Sequence, residues 1–216
     1  MYSPSLAPAA APTKRRLGFF SRLLDDAPAA ERYRLVAEQI AHAEAFGFDS
    51  AWVAQHHFHE AEGGLPSPFV FLAHVAARTR RIRLGTGVVT LPLENAVRVA
   101  EDAVVFDLMS GGRLEFGVGT GGTPSSFTAF GLSSEARAEV FARHLSLVRD
   151  AWAGRPLPGG PLQGLTEQGH RPTDVRVTEV LGRGGEEVFQ RLLVVLTQQG
   201  VTPPPSGVLK GRGVVA

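Results

Sequence analysis

Three of the chain's seven histidines fall within four consecutive residues, at His56, His57 and His59, directly after the apolar run at 50–55. Imidazole titrates near pH ~6.5, so it gains and loses protons at neutral pH and serves as a general acid or base. The carboxyl ends of parallel strands are where α/β enzymes place reactive groups. The pattern therefore predicts proton transfer by His56 or His57. The alternative is that both are loop histidines bonded to backbone or solvent.

His57 and His59 also have the spacing of a bidentate metal site. Zinc would need a third and a fourth ligand from other loops. The later strand ends carry no histidine and no clear carboxylate, and the chain has no cysteine. We therefore predict no metal site.

Two glycine-containing segments stand at or near other predicted strand ends. The segment 117–122, GVGTGG, has the spacing of a dinucleotide-binding turn after a strand. Pro124 predicts that no helix opens there at once, which argues against that motif. The glycines still allow a ligand to approach the backbone and expose N–H groups that suit an anion, although a plain turn is the alternative. Gly85 and Gly87, inside a buried strand, indicate a bulge or a close neighbour or ligand.

Four strand-and-helix units position these segments. Apolar runs predict strands at 17–20, 50–55, 82–89 and 113–119. The predicted helices are one over about 33–43 ending before Gly47, one opened by Ser67 and Pro68, one capped by Asn95, and one opened by Ser133 or Ser134. Strands that are apolar throughout are typical of a parallel sheet covered by helices. The order predicts a (β/α) barrel or a doubly wound sheet.

Three segments are expected along the chain. Residues 1–16 predict a flexible leader without the apolar core of a secretion signal. The repeated strand-and-helix pattern of residues 17–154 predicts the N-terminal half of a barrel. Residues 155–216 predict an atypical Gly/Pro-rich tail with one strand at 175–181 and one helix at 185–199. A complete barrel typically needs ~250 residues, so the C-terminal half is expected to be truncated or atypical.

Charge and composition limit the classes of binding partner that the sequence predicts. The chain has 22 basic and 21 acidic residues and a net charge of +1, which predicts no long-range attraction to nucleic acid or an anionic membrane. No apolar run approaches the ~20 residues that span a bilayer. The absence of cysteine fits a reducing compartment. We expect a cytoplasmic protein that acts on a small molecule.

Three segments together resemble the bacterial luciferase-like family of flavin-dependent monooxygenases. They are GFDSAWVAQHHF at 47–58, LGTGVVTLPLENAVRVAEDAVVFDLMSGGRLEFGVGTGG at 84–122, and FTAFGLSSEARAEVF at 127–141. The resemblance runs from about Leu17 to Gly154. It implies an α/β fold of the TIM (β/α) barrel type. It also implies an enzyme that takes reduced FMN from a separate flavin reductase and uses O₂ to oxygenate a small organic substrate.

The resemblance assigns roles residue by residue. It implies that His56 is catalytic, with His57 beside it in the site, and that a non-proline cis peptide at Gly87–Val88 lies beside the flavin ring. It implies further cofactor contacts at Thr120, Gly121 and Arg137. Gln55 departs from the family pattern, because luciferases tend to have Glu there.

Several alternatives stay open. A deazaflavin (F420)-dependent oxidoreductase of the same superfamily, a flavin-binding protein without turnover, and a truncated homologue that binds no ligand are the other functions. The tail could belong to a naturally shortened member, derive from a shifted reading frame, or be replaced by a partner chain. An open half-barrel exposes strand edges and apolar surface, so we expect a homodimer and weaker FMN binding than in a complete relative.

Overall fold

The computed structural model describes residues 16–158 and 176–180. The strands are β1 (Gly18–Ser21), β2 (Ser50–Val53), β3 (Arg83–Thr86), β4 (Val89–Thr90), β5 (Leu114–Gly119) and β6 (Arg176–Val180). The α-helices are α1 (Ala29–Ala45), α2 (Pro68–Arg78), α3 (Ala96–Ser110), α4 (Pro124–Ala129) and α5 (Arg137–Trp152), with a 3₁₀ helix at Leu91–Leu93. Among the described helices, none is long and apolar enough to cross a bilayer.

All strand pairs are parallel, so every described strand ends at the same edge of the sheet. The order is β1-β2-β3-β5-β4, with β6 also pairing β5. β3 and β4 contact the same neighbour at different levels, because Leu84 pairs Leu114 whereas Val89 pairs Val118. They are two pieces of one predicted strand, separated at a cis peptide bond between Gly87 and Val88. That cis bond and the predicted α/β parallel fold are confirmed.

The core lies between one face of the sheet and the helices. Phe19, Leu84 and Phe116 belong to the core cluster and are almost completely buried. Successive strand residues point to opposite faces, so Trp52, between the core residues Ala51 and Val53, lies on the other face. Its indole covers Gly85, where a Cβ would lie only 2.3 Å from the ring. The glycine in this strand therefore makes room for a neighbouring side chain.

Two helix starts agree with the sequence. Asn95 caps α3 with its side-chain oxygen, which accepts hydrogen bonds from the backbone N–H groups of Val97 and Arg98 at 3.0 and 3.1 Å. Ser67 and Pro68 stand at the N-cap and first position of α2. Such placements follow from the free N–H groups of the first helical turn.

Two other helix predictions were wrong. Pro124 does not delay a helix: it is the first residue of α4, a position that needs no backbone N–H. The expected start of α5 at Ser133 or Ser134 falls too early, because that helix begins at Arg137. The Ser133 hydroxyl instead accepts a hydrogen bond from the Glu135 N–H, at 3.2 Å, within a separate turn.

The strand predicted at 175–181 is confirmed as β6. It pairs in register along β5, from Glu115 opposite Arg176 to Gly119 opposite Val180. The sheet therefore continues beyond residue 154. The predicted leader up to residue 15 and the helix predicted at 185–199 lie outside the described residues.

Candidate active site

A cleft lies at the carboxyl edge of the sheet, where β2, β4 and β5 end. It is lined by Gln55, His56, His57, Glu62, Thr90, Leu93, Gly121, Gly122, Thr123, Ser126 and Phe127. Both candidate histidines and the glycine turn after β5 therefore meet in one place. This is the edge at which parallel α/β proteins bind ligands.

His56 is packed within the β2–α2 loop. Its backbone N–H donates to the Leu65 carbonyl at 3.0 Å. A Cβ added to Gly63 would lie 2.4 Å from the imidazole Cδ2, so the loop packs directly on the ring. The Nδ1 atom is 3.8 Å from a Glu62 carboxylate oxygen, and 22% of the side chain is exposed.

The surroundings of His56 favour its neutral form. Burial lowers the pKa of His56, and the Arg22 guanidinium lowers it further, whereas the Glu62 carboxylate opposes both. His57 and His59 add a smaller lowering. A neutral imidazole at neutral pH accepts a proton, and Glu62 then stabilises the imidazolium.

His57 has different surroundings. Its Nε2 atom is buried and has no hydrogen-bond partner within the part of the chain that the structure describes. The ring meets Phe130 edge-on, with centroids 5.0 Å apart. Burial lowers the pKa of His57, and the Glu94 carboxylate opposes the lowering. A buried nitrogen without a partner is costly unless a ligand or water bonds to it.

Side-chain contacts join the two loops that border the cleft. His59 Nε2 and Ser125 Oγ are 2.6 Å apart and share a hydrogen bond. The hydroxyl of Thr123 donates to Glu62 at 3.4 Å, and the hydroxyl of Ser126 donates to the His57 carbonyl at the same distance. The β2–α2 loop is thereby tied to the N-cap residue and first turn of α4.

The remaining predicted site residues divide into two groups. Gly121 lines the cleft with φ +71°, and a Cβ there would lie 2.4 Å from Thr90 Cγ2. Thr120 is buried just before it. Gly87 and Val88 precede Thr90 but do not line the cleft. Arg137 does not line it either, and its guanidinium donates to the Ser134 carbonyl at 2.7 Å.

Sequence reasoning missed Glu62, Thr90 and Ser126, which all line the cleft. Glu62 and Ser126 reach it through loop geometry, which residue spacing does not reveal. Thr90 directly follows the GTGVV segment, and its place at a strand end is the one available signal. Within the described ranges, no three histidine or carboxylate side chains are arranged to hold a metal.

The sequence matches the family described as luciferase-like monooxygenase over residues 17–175. The chain belongs to the luciferase-like monooxygenase family. The match passes the limit predicted at Gly154 and reaches the residue before β6. The resemblance is thus confirmed, and its predicted C-terminal limit was too short.

Named relatives include oxygenases. The chain is 40% identical over 111 residues to 4-hydroxyprotoasukamycin monooxygenase of Streptomyces nodosus subsp. asukaensis, covering 51% of this chain and 30% of the relative. The monooxygenase RslO1 from Streptomyces bottropensis has a similar structure, with TM-score 0.68 and 27% identity over 77% of this chain and 53% of that one.

A third comparison shows the fold alone. The oxygenating constituent of 3,6-diketocamphane monooxygenase from Pseudomonas putida, solved with FMN, has TM-score 0.66 and 16% identity over 77% of this chain and 51% of that one. The luciferase-like chain spans less than half the length of the curated relatives that it matches. Its described residues have the luciferase-like TIM-barrel fold over about half of the length of these solved structures.

Proposed function

We propose that this luciferase-like chain is a flavin-dependent monooxygenase that binds reduced FMN in the cleft and uses O₂ to oxygenate a small organic substrate. The observation that carries the proposal is the convergence of His56, His57 and the Gly121–Gly122 turn on one cleft. Family membership and a relative named as a monooxygenase at 40% identity support the same reaction class.

The residues of the cleft fit a polar heteroaromatic cofactor. His57 presents the buried Nε2 that lacks a partner among the described residues, which suits a bond to a ligand. A Cβ at Gly122 would meet nothing within 4 Å, so the backbone of the turn is open to close approach. The proposed cofactor contacts at Gly87, Val88, Thr120, Gly121 and Arg137 follow the family pattern; of these, Gly121 lines the cleft, and Gly87, Val88 and Arg137 lie outside its lining. Reduced flavin supplies the electron pair by which O₂ is activated.

His56 is the residue proposed to move the proton. Its neutral imidazole accepts a proton at a ring nitrogen, and the Glu62 carboxylate, 3.8 Å from Nδ1, stabilises the charge that results. His57 has the role of a ligand-contacting neighbour. This division follows from the different contacts of two adjacent residues: His56 lies beside Glu62, whereas His57 has a buried Nε2 without a described partner.

The other residues around the cleft exclude water and receive an apolar substrate. Leu93 and Phe127 line the cleft, and Phe58 and Phe130 form an exposed aromatic rim beside His57. Excluding water protects reactive intermediates from side reactions. We propose that a separate flavin reductase supplies the reduced cofactor, that the protein acts in the cytoplasm, and that it forms a homodimer.

Cofactor titration tests the proposal. Saturable quenching of FMN fluorescence, together with protein-dependent transfer of labelled oxygen from O₂ to a medium-chain aldehyde, is the expected result. Preferred binding of deazaflavin with turnover that needs no O₂ would instead identify the related class of oxidoreductases. FMN binding without oxygen transfer to this or other organic probes would identify a flavin-binding protein, and no binding of either cofactor would contradict the proposal.

A His56→Ala variant tests the role of the histidine. It is expected to keep FMN binding and to lose oxygen transfer by about 10²-fold or more, the usual contribution of a general acid or base. His42→Ala is the matched control, because His42 is exposed in the last turn of α1. Equal product formation by both variants would remove His56 from the mechanism.

A further inference from the structure

The side chain of Gln55 is a buried connector between three elements of the site. It directly precedes His56 and is 8% exposed. Its Nε2 donates to a Glu94 carboxylate oxygen at 2.7 Å and to the Pro66 carbonyl at 3.1 Å. Its Oε1 accepts the backbone N–H of Thr90 at 2.7 Å. Both ends of the amide therefore have partners.

These bonds fix the orientation of the amide. The Thr90 N–H needs an acceptor, so the oxygen of Gln55 faces β4, and the NH₂ group then faces Glu94. A carboxylate at position 55 would still accept from Thr90. It would, however, place a second negative charge against Glu94, at the distance of a hydrogen bond.

The connector also separates two cavities. Gln55 lines the cleft, and both Gln55 and Glu94 line a wider groove between α2 and α3. Glu94 follows the 3₁₀ helix and lies outside the cleft lining. The Gln55 amide holds the Glu94 carboxylate on the groove side. The negative charge of Glu94 raises the pKa of His57.

We propose that Gln55 and Glu94 are a positioning pair for the two histidines: the Gln55 amide fixes the end of β2 against β4, and the Glu94 carboxylate holds that amide from the groove side. This inference rests on the proposed function for its catalytic meaning. The geometry itself involves no cofactor. Neither residue is proposed to touch substrate or flavin.

Different charged groups surround the two histidines, so the effect of Glu94 on the pKa of His57 can be measured separately from effects on His56. Among the described residues, the Glu94 carboxylate raises the pKa of His57, whereas Arg22, Glu62, His57 and His59 act on the pKa of His56. Removing the charge of Glu94 should therefore change the titration of His57 directly. It should change that of His56 only through the neighbouring ring.

The first experiment uses NMR titration of the histidine ring nitrogens in the full chain without cofactor. Glu94→Gln keeps an oxygen to accept from Gln55, and we expect it to lower the titration midpoint of His57. Glu101→Gln is the control, because Glu101 pairs with Arg98 on the same helix. An unchanged His57 midpoint in Glu94→Gln would overturn the role of Glu94.

The second experiment exchanges the amide and the carboxylate between positions 55 and 94. Gln55→Glu is expected to lower the melting temperature by about 4 to 8 °C through repulsion from Glu94, a loss of about 2 kcal/mol in a domain of this size. The double variant Gln55→Glu with Glu94→Gln should recover most of the loss, because an amide again faces a carboxylate. A double variant as unstable as Gln55→Glu alone would overturn the pairing.

Neither measurement requires flavin, so the proposed function can fail independently. If FMN does not bind but the midpoint shift and the rescue are observed, the positioning pair stands and the oxygenase proposal falls. If FMN binds and oxygen is transferred but neither the shift nor the rescue occurs, the pair is rejected.

Discussion

Two histidines that are neighbours in the chain have different electrostatic surroundings in the folded cleft. Arg22 and Glu62 act on His56 with opposite effects, whereas the Glu94 carboxylate raises the pKa of His57. Burial lowers the pKa of both imidazoles. The folded chain therefore binds protons at these sites less readily than the unfolded chain does.

Acid should destabilise the protein through His56. In the unfolded chain histidine titrates near ~6.5, and the folded pKa of His56 is lower, so this stability is fully present above the unfolded value. It is lost as the pH falls below ~6.5 towards the folded value, by no more than about 1.4 kcal/mol at pH ~5.5. Urea unfolding of His56→Gln should show a smaller loss between pH ~7.5 and pH ~5.5 than wild type. Equal losses would contradict the assignment.

At the scale of elements, the cleft depends on how β3, β4 and β5 meet. The Thr86 hydroxyl donates to the Gly117 carbonyl at 2.8 Å and accepts the Gly117 N–H at 2.9 Å. These bonds lie between the two stretches of strand pairing with β5. The Thr86 side chain thus supplies the hydrogen bonds to β5 at the junction between β3 and β4.

Gly117→Ala should disrupt this junction. The added Cβ would lie 2.1 Å from the Thr86 carbonyl oxygen, a backbone atom that cannot move away cheaply. We expect a loss of about 2 to 3 kcal/mol in the free energy of unfolding, at the upper end of the usual cost of overpacking.

Gly122→Ala is the control, since its Cβ would meet nothing within 4 Å. It should change stability by less than about 0.5 kcal/mol. Chemical denaturation measures both variants. Equal effects would show that the junction tolerates a side chain.

The sequence predicted elements where local chemistry decides them. The apolar runs located the strands, and Asn95 located the start of α3, because the capping group and the N–H groups it bonds are near neighbours in the chain. The start of α5 was misplaced because Ser133 bonds within its own turn. Gln55 and Glu94 are 39 residues apart, and no local pattern connects them.

The candidate site was predictable only in part, for the same reason. His56, His57 and Gly121 follow predicted strands, so their meeting at one edge follows from parallel topology. Glu62 and Ser126 enter through the path of two loops. Arg137 lies at the start of α5, away from the cleft lining. Its position, too, depends on loop geometry that residue spacing does not reveal.

At the scale of the whole molecule, helices α2 and α3 present an apolar face to solvent. Val70 and Met109 are 73% and 74% exposed, and Val105 and Leu108 are also exposed. They border or adjoin the groove between the two helices. Contiguous exposed apolar surface of this kind is typical of an interface between proteins.

We expect the protein to be a homodimer that buries this face. Met109→Glu should convert it to a monomer, because a charge would be buried against apolar side chains. Phe46→Glu is the control: Phe46 is 81% exposed just after α1, away from the groove. Size-exclusion chromatography with light scattering measures the mass. A monomeric wild type, or dimers in both variants, would contradict the assignment.

Strand β5 is paired with β6 from Glu115 to Gly119, and on its other side with β3 and β4 in turn. Its amide protons therefore lie between neighbours on both flanks, while β1 has a single described neighbour. Exchange with deuterated solvent should be slowest along Leu114–Gly119, since those amides open only when the surrounding sheet separates. Deuterium uptake there reports directly on whether a segment distant in the chain has joined the sheet.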